Sequence, residues 1–387
     1  MKLNYGKNFW LLCLSMFLFM AGFNLIMPDL NQFITNLGGK EQKGLIITLF
    51  TISAGLSRPF SGKLSDTIGR KKVIYIGAIC STIVAMLYPL SETVFFFLLL
   101  RFFHGFSAGF TPTGATALLT DIVPSDRRGS AMGIWGTFIS LGIGAGQSLG
   151  AWICSKYGFN ILFSSAAICS ILSIIVFFEV KESLIDPIKY KSSILKLKWN
   201  DVFEPSVRPA AVVMFLTAIS SGIIFVITPD ISEFLKIDNK GFFFGIYVVS
   251  TIIIRLLTSS ISDRIGRRQM LLAGCILLVF SMLLIAISES VSMYITAAIV
   301  FGFATGVSSP TLFAWTADLS HEARRGVGAG TMFIALESGI MTGSLSTLFT
   351  YRNTPSSVFI TFSVGAFFAL LAGSYLIWHI RTQRSQF

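Results

Sequence analysis

The chain has 387 residues, 53% of them apolar and only 13% charged, and its mean hydropathy is +0.74; a soluble domain carries roughly 25% charged residues. That composition excludes a water-soluble enzyme or binding domain. A net charge of +11 does not mark a nucleic-acid binder, because the Lys and Arg residues sit in short clusters between apolar runs and do not gather on one wetted face.

Twelve apolar segments of about membrane-spanning length follow one another. They cover approximately residues 9–31, 44–62, 73–91, 94–119, 130–153, 159–179, 210–232, 241–260, 270–288, 292–317, 329–350 and 356–378. The first is longer than the roughly 7–15-residue core of a signal peptide and has no small-x-small cleavage site, so it is expected to be retained as a span. It ends in Pro28-Asp29. The second holds Arg58 and runs into Gly62-Lys63-Leu64-Ser65-Asp66-Thr67-Ile68-Gly69-Arg70-Lys71-Lys72. The fourth carries Arg101-Phe102-Phe103-His104-Gly105-Phe106-Ser107-Ala108-Gly109, and then Asp121 precedes Arg127-Arg128-Gly129. The fifth reads Gly142-Ile143-Gly144-Ala145-Gly146-Gln147-Ser148-Leu149-Gly150, a ridge of small residues that permits close helix packing. After the sixth comes the only long connection, residues 180–209, rich in Lys. The seventh ends in Pro229-Asp230, and the eighth holds Arg255 and leads to Ser262-Asp263 and Gly266-Arg267. Asp318 follows the tenth, and Glu337 lies within the eleventh.

The two sets of six match at a constant offset of 197 residues. Arg58 matches Arg255, Asp66 matches Asp263, and Gly69-Arg70 matches Gly266-Arg267. Likewise Asp121 matches Asp318, Arg127-Arg128-Gly129 matches Arg324-Arg325-Gly326, and Gly142 and Gly146 match Gly339 and Gly343; Lys43-Gly44 matches Lys240-Gly241. An even number of spans in each copy makes this a parallel repeat, in which a substrate site is expected near the bilayer midplane. The expected fold is an all-α membrane protein of twelve transmembrane helices. It forms two six-helix bundles, residues 1–180 and 210–387, related by a parallel pseudo-two-fold axis and joined by a linker loop, 181–209. Of the 30 Lys and Arg residues only Lys40, Lys43, Lys156, Lys236, Lys240 and Arg352 fall on one side, while Arg58, Arg101 and Arg255 lie inside spans. The positive-inside rule therefore predicts that both termini and the linker are cytoplasmic.

Charges inside spans are costly unless paired or hydrated, so each is read as functional by default. Arg101, His104, Glu337, Gln147, Asp29, Asp230, Arg58 and Arg255 are the candidate substrate and proton pathway. Glu337 is placed about 12 Å deep at 1.5 Å per residue, and burial there would favour the protonated form that a proton carrier requires. The plain alternatives are that Arg101 is a structural residue bonded to carbonyls, that His104 is a buried neutral ring, and that Glu337 is a static partner of an arginine. Asp29 and Asp230 suit a helix-end or outer-gate role equally well. Asp66 and Arg70 can pair with charges on neighbouring helix ends, and a carboxylate is also stabilised at a helix N-terminus.

Cys13, Cys80, Cys154, Cys169 and Cys275 are scattered singly, without disulfide or zinc spacing. Gly105-Phe106-Ser107-Ala108-Gly109 fits a hydrolase elbow literally but lies in a span and lacks the strand–turn–helix context. No catalytic residue, metal site or cofactor is expected.

The loop after the second segment resembles the G-x-L-S-D-x-x-G-R-K signature of the major facilitator superfamily, with a second copy at residues 259–268 that lacks the leading Gly. Arg101 to Gly105 resembles the family's R-x-x-Q-G motif with His104 in place of Gln. The Gly142 segment resembles its antiporter signature with Gln147 in place of Pro. The resemblance implies alternating access, with the solute site formed mainly by spans 1, 4, 7 and 10. It also implies a cytoplasmic gate of Gly62, Asp66, Gly69, Arg70, Asp121, Asp263, Arg267 and Asp318, in which Asp121 and Asp318 partner the basic residues of the signature. The function expected is secondary transport of a small organic solute across the cell membrane by a monomer, proton-coupled and outward. Import of an anionic metabolite or siderophore is the alternative within transport, and a non-transporting receptor is the alternative outside it.

Overall fold

The computed structural model describes residues 5–39, 42–190, 192–237, 242–258, 261–352 and 354–384; Lys240 and Gly241 of the repeat, and Ser259 and Ser260 of the second signature, lie outside them. The described residues are helical almost throughout and contain no strand. In chain order the helices are α1 (Lys7–Leu25), α2 (Leu30–Asn36), α3 (Lys43–Thr67), α4 (Arg70–Leu87), α5 (Val94–Ile122), α6 (Arg128–Phe177) and α7 (Trp199–Val202). They continue with α8 (Arg208–Phe234), α9 (Phe242–Thr258), α10 (Ile261–Ile265), α11 (Arg267–Ala286), α12 (Val291–Leu319), α13 (Arg325–Thr350) and α14 (Pro355–Arg384). Gly158, at φ +80°, breaks α6 into two spans, and α2, α7 and α10 are too short to cross. Twelve spanning helices result. Nine of the described helices are long and apolar enough by length and composition. The remaining three are the Gly-rich first part of α6, the 17-residue α9, and α13 with its Gly, Ser and Thr content.

The chain divides into two compact units. The first holds Met1–Pro124, Thr137–Pro205 and Ser320–Phe333; the second holds Ser125–Gly136, Ser206–Leu319 and Ile334–Phe387. Each unit thus includes a short segment from the other repeat: the start of α13 in the first, the start of α6 in the second. These are called the exchanged segments below.

In the first unit α5 is flanked by α3 and α4, and Tyr88, Phe97, Leu162 and Phe163 fill the core at the end away from the signature loop. In the second, α12 packs on α9 and α11, and α14 on α8 and α11, around Ile223, Phe243, Tyr294, Phe301 and Phe362. The glycine ridge works as its spacing suggests. A Cβ at Gly142 or Gly146 would run into the backbone carbonyls of Phe17 and Ala21 on α1, and one at Gly339 or Gly343 into those of Phe215 and Ile219 on α8. Large apolar side chains face outward along the spans, Phe95 at 76% and Leu257 at 70% exposure among them. Such a surface suits hydrocarbon and not water.

The signature loops are tight turns from α3 to α4 and from α10 to α11. Gly69 (φ +125°) and Gly266 (φ +105°) turn the chain in a conformation that a Cβ would strain.

Candidate functional site

A densely bonded polar cluster lies at the signature end of the first unit. Asp66 closes the α3 side. Its Oδ1 accepts from the Gly326 N–H at 2.7 Å and its Oδ2 from the Val327 N–H at 2.8 Å. These are orphan donors of the first turn of α13, so the carboxylate satisfies groups no helix can satisfy itself and sits at the positive end of the dipole. Arg70 pairs with Asp66, and its Nε donates to Asp121 Oδ2 at 3.1 Å. Arg325 Nη1 donates to Asp121 Oδ1 at 2.7 Å, so Asp121 joins two arginines. Gly62 is needed because α3 meets α13 there: a Cβ on it would lie 3.0 Å from the Gly326 carbonyl oxygen.

The second unit repeats the carboxylate and arginine bonds of this set at the repeat mates. Asp263 accepts from the Gly129 and Ser130 N–H groups, each at 2.9 Å, and pairs with Arg267. Asp318 accepts from Arg267 Nε and Arg128 Nη1, each at 2.9 Å. The second copy is wetter. Arg267 and Asp318 are 12% and 30% exposed at the side chain, against 1% and 11% for Arg70 and Asp121.

The linker contributes to the first cluster in a way the sequence did not announce. Glu182 accepts from the Arg70 and Lys71 N–H groups, both at 3.0 Å, and so caps α4. Ser183 Oγ donates to Asp121 Oδ2 at 2.6 Å. Further on, Lys63 Nζ donates to Asp201 Oδ2 at 2.7 Å, and buried Glu204 pairs with Arg324 at 2.7 Å. Burial alone would raise the Asp201 carboxyl. The Lys63 hydrogen bond, the Lys198 N–H and the nearby Lys63 and Arg324 charges outweigh it and hold that carboxyl below its ordinary value.

A second polar cluster lies deep in the first unit. Arg101 and Tyr88 are fully buried and His104 is 1% exposed. Tyr88 Oη lies 3.1 Å from His104 Nδ1, Arg101 Nη1 lies 3.4 Å from each, and His104 Nε2 is 3.3 Å from Ser81 Oγ. The Arg101 guanidinium also stands over the Phe50 ring at 4.9 Å. Among the described residues no carboxylate touches Arg101. Its charge is met by a phenol, an imidazole, a carbonyl (Ile46), a thioether (Met27) and a ring face.

Each of the other pathway candidates has its own surroundings. Gln147 is exposed on α6, and its Nε2 donates to Asn24 Oδ1 at 3.3 Å. Asp29, half-buried, lies beside the Cys154 thiol, and its Oδ2 has no hydrogen-bond partner among the described residues. Asp230 falls in α8, but its side chain lies outside the described residues. Glu337 is half-buried on α13. Arg58 Nη1 donates to Thr113 Oγ1 at 2.9 Å and to the Gly109 carbonyl at 3.3 Å, and Arg255 donates to the Gly136 carbonyl.

Two six-helix repeats carrying the same carboxylate–arginine cluster meet a family profile. The Major Facilitator Superfamily matches residues 12–209 and again 210–387. The chain belongs to the Major Facilitator Superfamily. It is 28% identical over 331 residues to the multidrug resistance protein MdtG of Dickeya zeae, covering 80% of this chain and 79% of that one. It is 26% identical over 327 residues to the multi-drug resistance efflux pump PmrA homolog of Lactococcus lactis, with the same shares covered. Its fold superposes on the crystal structure of the human organic anion transporter MFSD10 with a TM-score of 0.81 at 19% identity, over 96% of this chain and 99% of that one. As a member of this superfamily the protein is a multi-pass membrane transporter of small molecules.

Proposed function

We propose that this superfamily transporter is a proton-coupled exporter of small organic solutes. It works as a monomer in the cell membrane with both termini and the signature loops in the cytoplasm. The repeats 1–180 and 210–387 are the moving bodies, and 181–209 is the strap that joins them. The observation that carries the reading is the paired carboxylate cap: Asp66 on the first turn of α13 and Asp263 on the first turn of α6. Both caps are built from bonds that water can replace. A helix N-terminus and a carboxylate released from each other are each resolvated at modest net cost, so the two clusters can close the cytoplasmic end and reopen it in every cycle. The outward direction is supported by the drug-efflux names of the relatives, and the cytoplasmic placement of the termini and signature loops by the positive-inside count. Glu337, half-buried on α13, is the proposed proton carrier, and Arg101 the fixed cation that the solute and the proton must accommodate.

The importer reading draws on one observation, the buried Arg101 guanidinium without a carboxylate beside it among the described residues, which could receive an anionic solute. Counterflow in proteoliposomes, with a mixed library of lipophilic cations, neutral drugs and organic anions, separates the readings. Exchange of cations or neutral drugs, accelerated by an inward-acidic gradient opposite to the solute, supports export. Exchange confined to anions selects import, and saturable binding without exchange would leave only a receptor.

A further inference from the structure

We infer that Arg58 and Arg255 are positioning residues of this gate, an inner tier behind the Asp66 and Asp263 caps, and not ligands of the solute; the inference rests on the gate reading above. The two arginines are repeat mates, each eight residues before its carboxylate, roughly 12 Å deeper at 1.5 Å per residue. Each reaches the last residue of an exchanged segment. The Arg58 guanidinium carbon stands 4.1 Å from the centre of the Phe333 ring, and Arg255 Nη1 donates to the carbonyl of Gly136. Positions 333 and 136 are themselves repeat mates, at the same offset of 197. Two symmetric arginines therefore hold one symmetric position with different chemistry.

The difference follows from the residue found there. Where the segment presents a ring, the flat cation lies on its face. Where it presents Gly136, the missing side chain opens the backbone: a Cβ at that position would stand 3.0 Å from Arg255 Nη1 and 3.3 Å from its guanidinium carbon, so a larger residue would push the arginine off the carbonyl. The approach of the helices supports the same contact in the first unit. A Cβ on Gly330, one turn before Phe333, would lie 3.3 Å from the Arg58 carbonyl oxygen. Both arginines are buried, at 4% and 8% exposure. Arg58 already spends donors on Thr113 and Gly109, bonds that orient its plane toward the ring.

Arginine suits a contact that must break and re-form. A buried apolar plug would have to expose its surface to water each time the segment left, whereas a guanidinium is hydrated when released and still stacks when the segment returns. Removing it should shift the population toward the released segment.

The test uses the full chain in lipid nanodiscs without solute, with the native cysteines replaced and one thiol per protein. Ala329→Cys, buried at 2% on the exchanged segment, reports release to a water-soluble maleimide, and in a separate protein that keeps Cys13 as its one thiol, fully buried in α1, that thiol reports loosening of the unit itself. Arg58→Met should raise the Ala329→Cys labelling rate by about tenfold, the effect of losing one desolvated cation–ring contact, and leave Cys13 unchanged. Phe333→Leu should act alike, and the double variant should add little to the larger single effect, as expected for two partners of one contact. Arg255→Met should do the same for Met132→Cys, the repeat mate of the Ala329 probe. Asp66→Asn separates the two readings. If it raises labelling while Arg58→Met and Phe333→Leu do not, the inner tier is refuted and the outer latch stands. If none of the three does, the gate reading falls and the inference with it. A parallel rise at Cys13 would make Arg58 a residue of the fold alone, and should Arg58→Met fail to fold, Phe333→Leu decides by itself.

Discussion

Asp66 shows how one side chain serves two bonds that differ in origin. Its pairing with Arg70 is local, four residues away across the Gly69 turn, while its bonds to Gly326 and Val327 exist only when α13 is docked. In Asp66→Asn the amide nitrogen meets one of those N–H groups donor to donor, and the attraction to the helix dipole is lost. A cap is worth about 1 kcal/mol and more when charged, so solute flux in proteoliposomes should fall by about tenfold. Asp263→Asn should be milder, because Arg267, which pairs with it, and Asp318, which Arg267 also holds, are better hydrated than Arg70 and Asp121. Equal losses would mean that burial does not set the strength of the two caps. Glu337 belongs at the same scale. Glu337→Gln mimics the protonated carboxyl, so solute exchange should persist while accumulation driven by a pH gradient disappears. Loss of exchange together with accumulation would make Glu337 a solute ligand.

At the scale of elements, α6 is fastened to α1 through glycines at close approach. Gly146→Val would place a branched side chain against the Ala21 carbonyl, and overpacking of this kind costs about 1–3 kcal/mol. A drop of about 5 °C in the melting temperature of purified protein is expected. A change below one degree would show that α1 can shift to make room. The linker is a second element whose behaviour follows from its bonds. Because the docked Asp201 carboxyl is held below its ordinary value, docking favours the ionised form. Its contribution is complete above the free-carboxylate range and fades only as pH falls through the lowered, docked value. A spin label at Leu197→Cys should therefore stay immobile at pH 7 and pH 5 and loosen under stronger acid, whereas Lys63→Met should free it already at pH 7. Mobility independent of both would mean that the Lys63–Asp201 pair does not hold the strap.

For the whole molecule the expected topology puts residues 181–208 in the cytoplasm. Single cysteines there should resist impermeant thiol reagents added outside intact cells and react after permeabilisation, and labelling from outside would invert the orientation. The twelve helices were legible in the sequence because hydrocarbon imposes a length and an apolar composition on most of the spans. The two copies were legible because gene-level repetition left charges and glycines in register. The sequence also singled out Asp66, Arg70, Asp121 and their mates, and the family resemblance paired Asp121 and Asp318 with the signature's basic residues, yet which helix Asp66 and Asp263 cap was not legible. The donors to Asp66 and Asp263 are backbone N–H groups of helices some 260 and 134 residues away in the chain, and a backbone donor leaves no mark in a residue pattern. For the same reason the roles of Glu182 and Glu204 in the linker, and the arrival of Arg58 at Phe333 and of Arg255 at Gly136, depended on which helix ends the fold brings together. The sequence by itself determined the membrane, the spans and the repeat, since these follow from local composition and periodicity. Only the tertiary structure decided the partners of each buried charge, since those follow from the close crossing of helices that glycines at particular positions allow.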